Sequence, residues 1–314
     1  MIGFLNDFRT MVIGILLESF PFVLIGVILS ALLQTFVSDQ TLQRFIPKRT
    51  VTGILFGCLL GIVFPLCECG LIPVVHRLIR KGMPPYIGIV FMMAGPVINP
   101  VVYASTYVAF QSHPEVPLFR ILLAFAAAAV IGLWAAHSMG ESALRTPSSA
   151  ITESAAAAVS QSAKRKQHRM NQAVPRTHWL HQLHETLEHA AIELFDVGKF
   201  LVLGATITAL LQTVVSRQWM LSLGEGEGAA HLFMMALSYI LSICSTADAF
   251  VAVTFSPDFS FGSLLAFLVF GAMFDIKSTL MLLKVFRAKT VFTVMAMAAV
   301  VILVGSILVD QLYY

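Results

Sequence analysis

Residues 65–73 read Pro-Leu-Cys-Glu-Cys-Gly-Leu-Ile-Pro, a carboxylate between two thiols with a glycine immediately after and a proline on either side. Thiolates select soft species such as trivalent arsenic-like centres, Cu(I) or Zn, and the carboxylate adds a cation ligand that also exchanges protons. A second cluster, Cys244-Ser245-Thr246-Ala247-Asp248, pairs a thiol with a carboxylate again, and Asp275 and Lys277 set opposite charges two residues apart in "FGAMFDIKSTL". Each has a plainer alternative. Free cysteines are often small buried hydrophobes, Glu68 and Asp248 can be local helix caps, and Asp275 with Lys277 can be a structural ion pair. Carboxylates inside a membrane are costly, however, and are functional candidates by default. Cys58, earlier in the same apolar run, reads as packing, and Glu18 and Asp196, near span ends, as structural or interfacial.

The elements that hold these residues are membrane elements. Of 314 residues, 58% are hydrophobic and 12% charged, and the mean hydropathy is +0.84. No water-soluble domain could cover that composition with polar surface. Apolar runs long enough to span a bilayer as helix occur at about 10–37, 84–110, 118–139, 190–216, 260–283 and 290–313. The first carries Glu18 and Pro21 and reads as a retained helix rather than a signal peptide. A net charge of +3 gives no footprint for nucleic acid. Neither G-x-x-x-x-G-K-[ST] nor C-x-x-C occurs, which argues against an ATP-driven pump and a thiol oxidoreductase. The reading is of a non-enzyme without cofactor.

The chain divides into a first membrane repeat (1–140), a linker rich in Ser, Ala, Gln and basic residues (141–189), and a second membrane repeat (190–314). "LIGVILSALLQTFVS" at 24–38 returns 178 positions later as "VLGATITALLQTVVS" at 202–216. The register carries Gly26 onto Gly204 and Glu18 onto Asp196, and with small gaps Cys67 onto Cys244, Gly95 onto Gly271 and Asn99 onto Asp275. Internal repeats of this kind are a transporter signature.

Each half also holds an apolar segment too long for one crossing, 51–80 and 229–256, interrupted near its middle by the cysteine cluster. If both are re-entrant hairpins and the N-terminus is outside, the inside collects Arg44, Lys48, Arg49, Arg77, Arg80, Lys81, the basic residues of the linker, Lys284, Arg287 and Lys289. Arg9, Arg120 and Arg217 stay outside, with Lys199 and Lys277 in the membrane. The positive-inside rule favours this arrangement over eight simple crossings. The expected fold is therefore all-α, two inverted-topology repeats, each of three transmembrane helices plus a re-entrant helical hairpin. Both termini are then periplasmic and the linker cytoplasmic.

Hairpin tips carry unpaired backbone carbonyls beside unpaired amides, and irregular backbone at that depth is tolerated where it lines a cavity. Gly70 is expected to permit the turn, Pro73 to open the second arm, and Ser245, Thr246 and Asp248 to cap the other arm. Lys277, two residues from Asp275, is expected to point elsewhere, leaving Asp275 to face Asn99. Glu68, Asp248 and Asp275 are the groups at which a proton can be exchanged for substrate. In the linker, His181, His184, Glu185 and Glu188 recur on one helix face and form a candidate metal set. They match neither H-E-x-x-H nor H-x-x-E-H, so a metalloprotease is not implied.

"PLCECGLIPVVHRLIRKGMPPYIGIVFMMAGPVINP" and "SICSTADAFVAVTFSPDFSFGSLLAFLVFGAMFDIKSTLML" resemble the two signature blocks of the YraQ/ArsP-type predicted-permease family, which includes organoarsenical exporters. The resemblance spans both membrane halves and implies a permease of the bacterial inner membrane. The solute it implies is a small organoarsenical, to which the thiols themselves add a soft metal ion. The partner in either case is the lipid bilayer, and the alternative reading is the membrane subunit of a two-protein metal-handling complex with a second membrane or periplasmic subunit. Carried over residue by residue, it marks Cys67, Cys69, Gly70, Pro96, Asn99, Pro100, Cys244, Asp248, Asp275 and Lys277, to which the residues themselves add Glu68 and Ser245. Glu68 stands where a small polar residue is expected, and Ser278 where Asn is common. An acidic tip suits a cation better than a neutral organoarsenical.

Overall fold

The computed structural model describes residues 2–36, 46–47, 49–64, 66–138, 178–214 and 227–313, and all regular structure in them is helical apart from one isolated bridge at Phe286. The first half contains α1 (Ile2–Phe36), α2 (Thr50–Val63), α3 (Glu68–Arg80), α4 (Pro85–Ala94), α5 (Pro100–Ala109) and α6 (Val116–Ser138). The second contains α7 (His178–Val214), α8 (Glu227–Leu241), α9 (Asp248–Ala252) with a 3-10 turn at Val253–Phe255, α10 (Phe261–Met273), α11 (Ile276–Val285) and α12 (Ala288–Tyr313). Among the described residues four stretches are long and apolar enough to cross a bilayer: Phe8–Leu32, Val116–Ser138, Phe261–Val285 and Ala288–Leu312. Large apolar side chains such as Leu17, Val51, Phe195 and Val300 remain exposed along the helices, as lipid-facing surface requires. The chain is a multi-pass membrane protein.

Both cysteine clusters interrupt their segments as expected, α2 giving way to α3 and α8 to α9. The runs 84–110 and 260–283, expected as continuous spans, are each two helices. Pro96 and Pro100 have no N–H to give, so α4 ends at Gly95 and α5 restarts behind the Asn99 cap. In the second half no proline is needed. Phe274 and Asp275 are extended, and Asp275 caps α11.

Small residues set the course of the segments. β-Carbons added at Gly53, Gly57 and Gly61 would meet Tyr86, Val90 and Gly95 in turn, so α2 runs beside α4 in the same direction. One at Gly88 would meet Ile79 and Val75, and one at Gly95 would meet Leu71, so α3 runs back along α4 in the opposite direction. In the second half Gly271 meets Ser238 in the same way, and α8 runs beside α10. Contacts that cross between the halves include α3 on α11, α9 on α5, α6 on α10 and α12, and α4 on α10. Helices α1 and α7 pack on each other, and also on α3 and α11 respectively.

Candidate functional site

Cys67 is the N-cap residue of α3, and Glu68, Cys69 and Gly70 form its first turn. All four are buried. The Cys67 side chain makes no capping hydrogen bond; its carbonyl accepts from Gly70 N and Leu71 N at 3.1 Å each, and its thiol lies beside that of Cys69. Glu68 Oε2 has no hydrogen-bond partner among the described residues. Gly70 does not serve a left-handed turn; among the described residues that backbone occurs at Gly82 and Ser242. It lets α1 approach instead, since a β-carbon there would lie 2.8 Å from the Phe22 carbonyl oxygen. Pro73 lies inside α3, beyond its first turn, and cannot donate to the Cys69 carbonyl one turn back.

Facing this tip is the N-terminus of α11. Asp275 Oδ1 accepts from Ser278 N at 2.5 Å while the Ser278 hydroxyl receives the Asp275 amide at 3.0 Å, a complete capping box. Lys277 Nζ stands 3.6 Å from Asp275 Oδ2, so the expectation that the lysine points elsewhere is corrected. That expectation assumed both residues inside one helix. Asp275 precedes the helix, and its extended backbone turns the carboxylate back over the first turn. Lys277, 1% exposed, also acts electrostatically on Cys69, Glu68 and Glu18. Cys244 lies within electrostatic reach of Glu68 and Cys67. The structure thus gathers Cys67, Glu68, Cys69, Gly70, Cys244, Asp275 and Lys277 about one buried place.

Asn99 holds the position in the first half that Asp275 holds in the second: its Oδ1 accepts from Val101 N at 2.9 Å and caps α5, whose first residue is Pro100. Pro96 is buried in the break between α4 and α5. Asn99 makes no described bond to Asp275.

Asp248 belongs to a separate constellation. Its Oδ2 receives Arg120 Nη2 at 2.6 Å, and the same guanidinium donates to Thr106 Oγ1 at 2.7 Å and to the carbonyls of Leu268 and Ser245 at 3.2 and 3.3 Å. Neither Ser245, Thr246 nor Asp248 caps α9, contrary to expectation; Thr246 turns its hydroxyl to Cys244 Sγ at 3.5 Å. Arg120, counted from sequence among the outside charges, is 1% exposed and joins α5, α6, the second cysteine turn and α10. The signal was present: a lone arginine at the start of an apolar span is a candidate for a buried partner.

His181, His184, Glu185 and Glu188 fall on the early turns of α7, where side chains lie outside the described residues, and the linker up to residue 177 lies outside them altogether. Among the described residues no three His, Cys, Asp or Glu side chains are gathered tightly enough to hold a metal ion. The candidate site brings two thiols of one helix start together with a carboxylate and a lysine.

No solved structure matches the chain. The UPF0718 protein YcgR of Bacillus subtilis (strain 168) is 41% identical over 297 residues, covering 95% of both chains. A putative two-component membrane permease complex subunit of Streptococcus mutans serotype c is 31% identical over 305 residues, covering 95% of this chain and 93% of that one. The family model ArsP_1, described as predicted permease, matches residues 4–311, and the chain belongs to that predicted-permease family.

Proposed function

We propose that this chain is a secondary-transport permease of the bacterial inner membrane that exports a small thiol-reactive or soft metal(loid) solute in exchange for protons, and is not an enzyme. The observation that carries the reading is the convergence of Cys67, Glu68 and Cys69 with Lys277 and Asp275 from the other half. Two facing thiols suit a solute with two exchangeable positions, such as a mono-organo trivalent arsenical, or a soft ion content with two sulfur ligands. Solute binds between the α3 tip and the break that opens α11, and the site opens alternately to either side as one repeat moves against the other.

Inverted repeats explain the crosswise contacts of α3 with α11 and α9 with α5, since each is the image of the other under exchange of the halves. The outward and return courses of α2 and α3 along α4 support a re-entrant hairpin. Periplasmic termini and a cytoplasmic linker follow from the basic residues, and burial of Arg120 removes one of the charges assigned to the outside.

Of the three carboxylates considered for proton exchange, Asp248 is held by Arg120 and Asp275 by Ser278 and Lys277, whereas Glu68 Oε2 is without a partner among the described residues. Glu68 is therefore the group assigned to exchange.

A second reading, that the chain is the membrane subunit of a two-protein complex whose partner sets specificity, is favoured by the printed name of the Streptococcus mutans relative. Uptake into everted vesicles, tested across organoarsenicals and soft metal ions, separates them. Solute-dependent uptake by this chain alone supports the permease; uptake that needs a co-expressed partner supports the complex.

A further inference from the structure

We propose that the apolar cleft between α4 of the first half and α10, α11 and α12 of the second holds an acyl chain of an anionic phospholipid, whose phosphate is bound by Arg287 at the α11–α12 turn. The inference concerns a face of the molecule that the thiol site does not use, and it does not depend on what the chain transports.

The walls of the cleft are helix faces. Ile89, Met92 and Met93 line it from α4, and Thr290, Val291 and Val294 from α12, each set spaced as one side of a helix. Thr290 apart, the lining is apolar, so it suits hydrocarbon and offers a polar ligand almost nothing to bond. The methionines are unbranched and adaptable, which suits a chain of variable shape. Met92 and Thr290 are half-buried and mark the open edge, whereas Ile89, Met93, Val291 and Val294 are buried.

The cleft also runs in the direction a lipid chain takes. Phe286 and Phe274, just beyond the two ends of α11, both line it, so it follows that helix along its length of about 15 Å at ~1.5 Å per residue. The span Ala288–Leu312 begins right after the Phe286 end, which puts that end at the membrane interface. The Phe274 end is the deep one. It adjoins Asp275, the cap of α11, so a seated chain packs against the break that opens α11.

Charge at the outer end is one-sided. Lys284, Arg287 and Lys289 stand about the α11–α12 turn, and no Asp or Glu occurs between Asp275 and Asp310 or, on the α4 side, between Glu68 and Glu115. Lys284 is turned to α7, its Nζ 5.7 Å from the centroid of the Phe200 ring. Arg287 is exposed, and its carbonyl accepts from Val291 N at 3.1 Å. It therefore lies one turn before Val291, on the face that carries Thr290, Val291 and Val294. Lys289, also exposed, falls on the flank of that face. A guanidinium at headgroup level over an apolar cleft matches a phosphate with a hydrocarbon tail below it. The absence of acidic neighbours in sequence favours a lipid of net negative charge.

The test uses the full-length protein in phosphatidylcholine nanodiscs that carry a small fraction of phosphatidylglycerol with a photoactivatable group on one acyl chain, the cross-links being mapped by mass spectrometry. Labelling is expected within 89–93 and 290–294, and excess unlabelled phosphatidylglycerol should abolish it. Arg287→Gln is expected to lower it about fivefold, the worth of one basic residue at an anionic lipid surface, and Lys289→Gln by less. Both side chains are exposed, so neither change is expected to disturb folding. Equal labelling by a phosphatidylcholine analogue at the same mole fraction overturns the proposal, because the cleft then accepts any lipid chain. Equal effects of the two variants also overturn it, since diffuse surface attraction would explain them. So does labelling confined to lipid-facing residues outside the cleft, such as Val300 and Leu308. No solute is present in this experiment, so its failure leaves the permease reading as it stands.

Discussion

Gly26 of α1 lies against Gly70 of α3 with no room for a side chain: a β-carbon at Gly26 would sit 2.8 Å from Gly70 Cα and 2.9 Å from its carbonyl carbon. Its repeat counterpart, Gly204 of α7, lies in the same way against the backbone of Lys277. The two residues shared by the halves at this point thus press α1 and α7 onto the two helix N-termini that form the site. Gly26→Ala is expected to destabilise by about 1–3 kcal/mol, the usual cost of overpacking. Gly14→Ala, in the same helix with nothing within 4 Å, is expected to be neutral or mildly stabilising. Thermal unfolding of both variants in detergent checks the contrast, and equal melting temperatures would refute it.

The buried ion pair of Arg120 and Asp248 is expected to behave asymmetrically under mutation. Removing one partner leaves a lone charge with 5% or less of its side chain exposed, which costs about 3–5 kcal/mol, whereas replacing both by apolar residues of similar volume costs far less. Arg120→Met and Asp248→Leu should therefore each lower the melting temperature sharply, and the double variant should recover most of it. Additive losses would mean that the bonds from Arg120 to Thr106, Ser245 and Leu268 matter more than the charge pairing.

Much of this was legible in residue types. Membrane class came from composition, the cysteine turns from apolar segments too long to cross once, and the near-equivalence of Asn99 and Asp275 from the repeat, which the structure shows as two helix caps. What stayed hidden depended on direction. Whether Asp275 and Lys277 meet turns on Asp275 lying outside the helix, a backbone angle that spacing cannot supply. Arg120 lies at the start of an apolar run, where a sequence reads equally as a loop charge or a buried one until its partner, 128 positions away, is brought near.

Topology is open to direct labelling. Arg80, Asp258 and Arg287 are exposed at the ends of elements. In a cysteine-free background, single cysteines at positions 80 and 287 should be protected from impermeant thiol reagents in intact cells, and one at position 258 should be labelled. Labelling at position 80 would remove the re-entrant course of the first half.

If the two thiols bind the solute, Cys67→Ser and Cys69→Ser should each abolish resistance to trivalent thiol-reactive solutes at undiminished protein level, because Ser is nearly isosteric but a hard ligand. Cys58→Ala, in α2 and away from the turn, should keep resistance. Resistance retained by the double Ser variant would reduce both cysteines to a packing role.

Energy coupling is where the three carboxylates separate most clearly. Asp275→Asn keeps a side chain that caps helices well and leaves Lys277 free to face Glu68, so gradient-driven accumulation should persist at a reduced rate. Asp248→Asn breaks the Arg120 pair and should act mainly through stability. Glu68→Gln removes the carboxylate of the three that, among the described residues, makes no ion pair and has a buried oxygen without a hydrogen bond, and with it the place where a proton alternates with the solute. That variant should still exchange labelled solute across the membrane while failing to accumulate it under a pH gradient. The sign of the gradient matters: efflux exchanged for protons is driven by an acidic outside, so everted vesicles should accumulate solute only when their lumen is the acidic side. Wild-type accumulation of a soft cation by Glu68→Gln would remove proton exchange from the mechanism and leave facilitated diffusion or a partner as the source of drive.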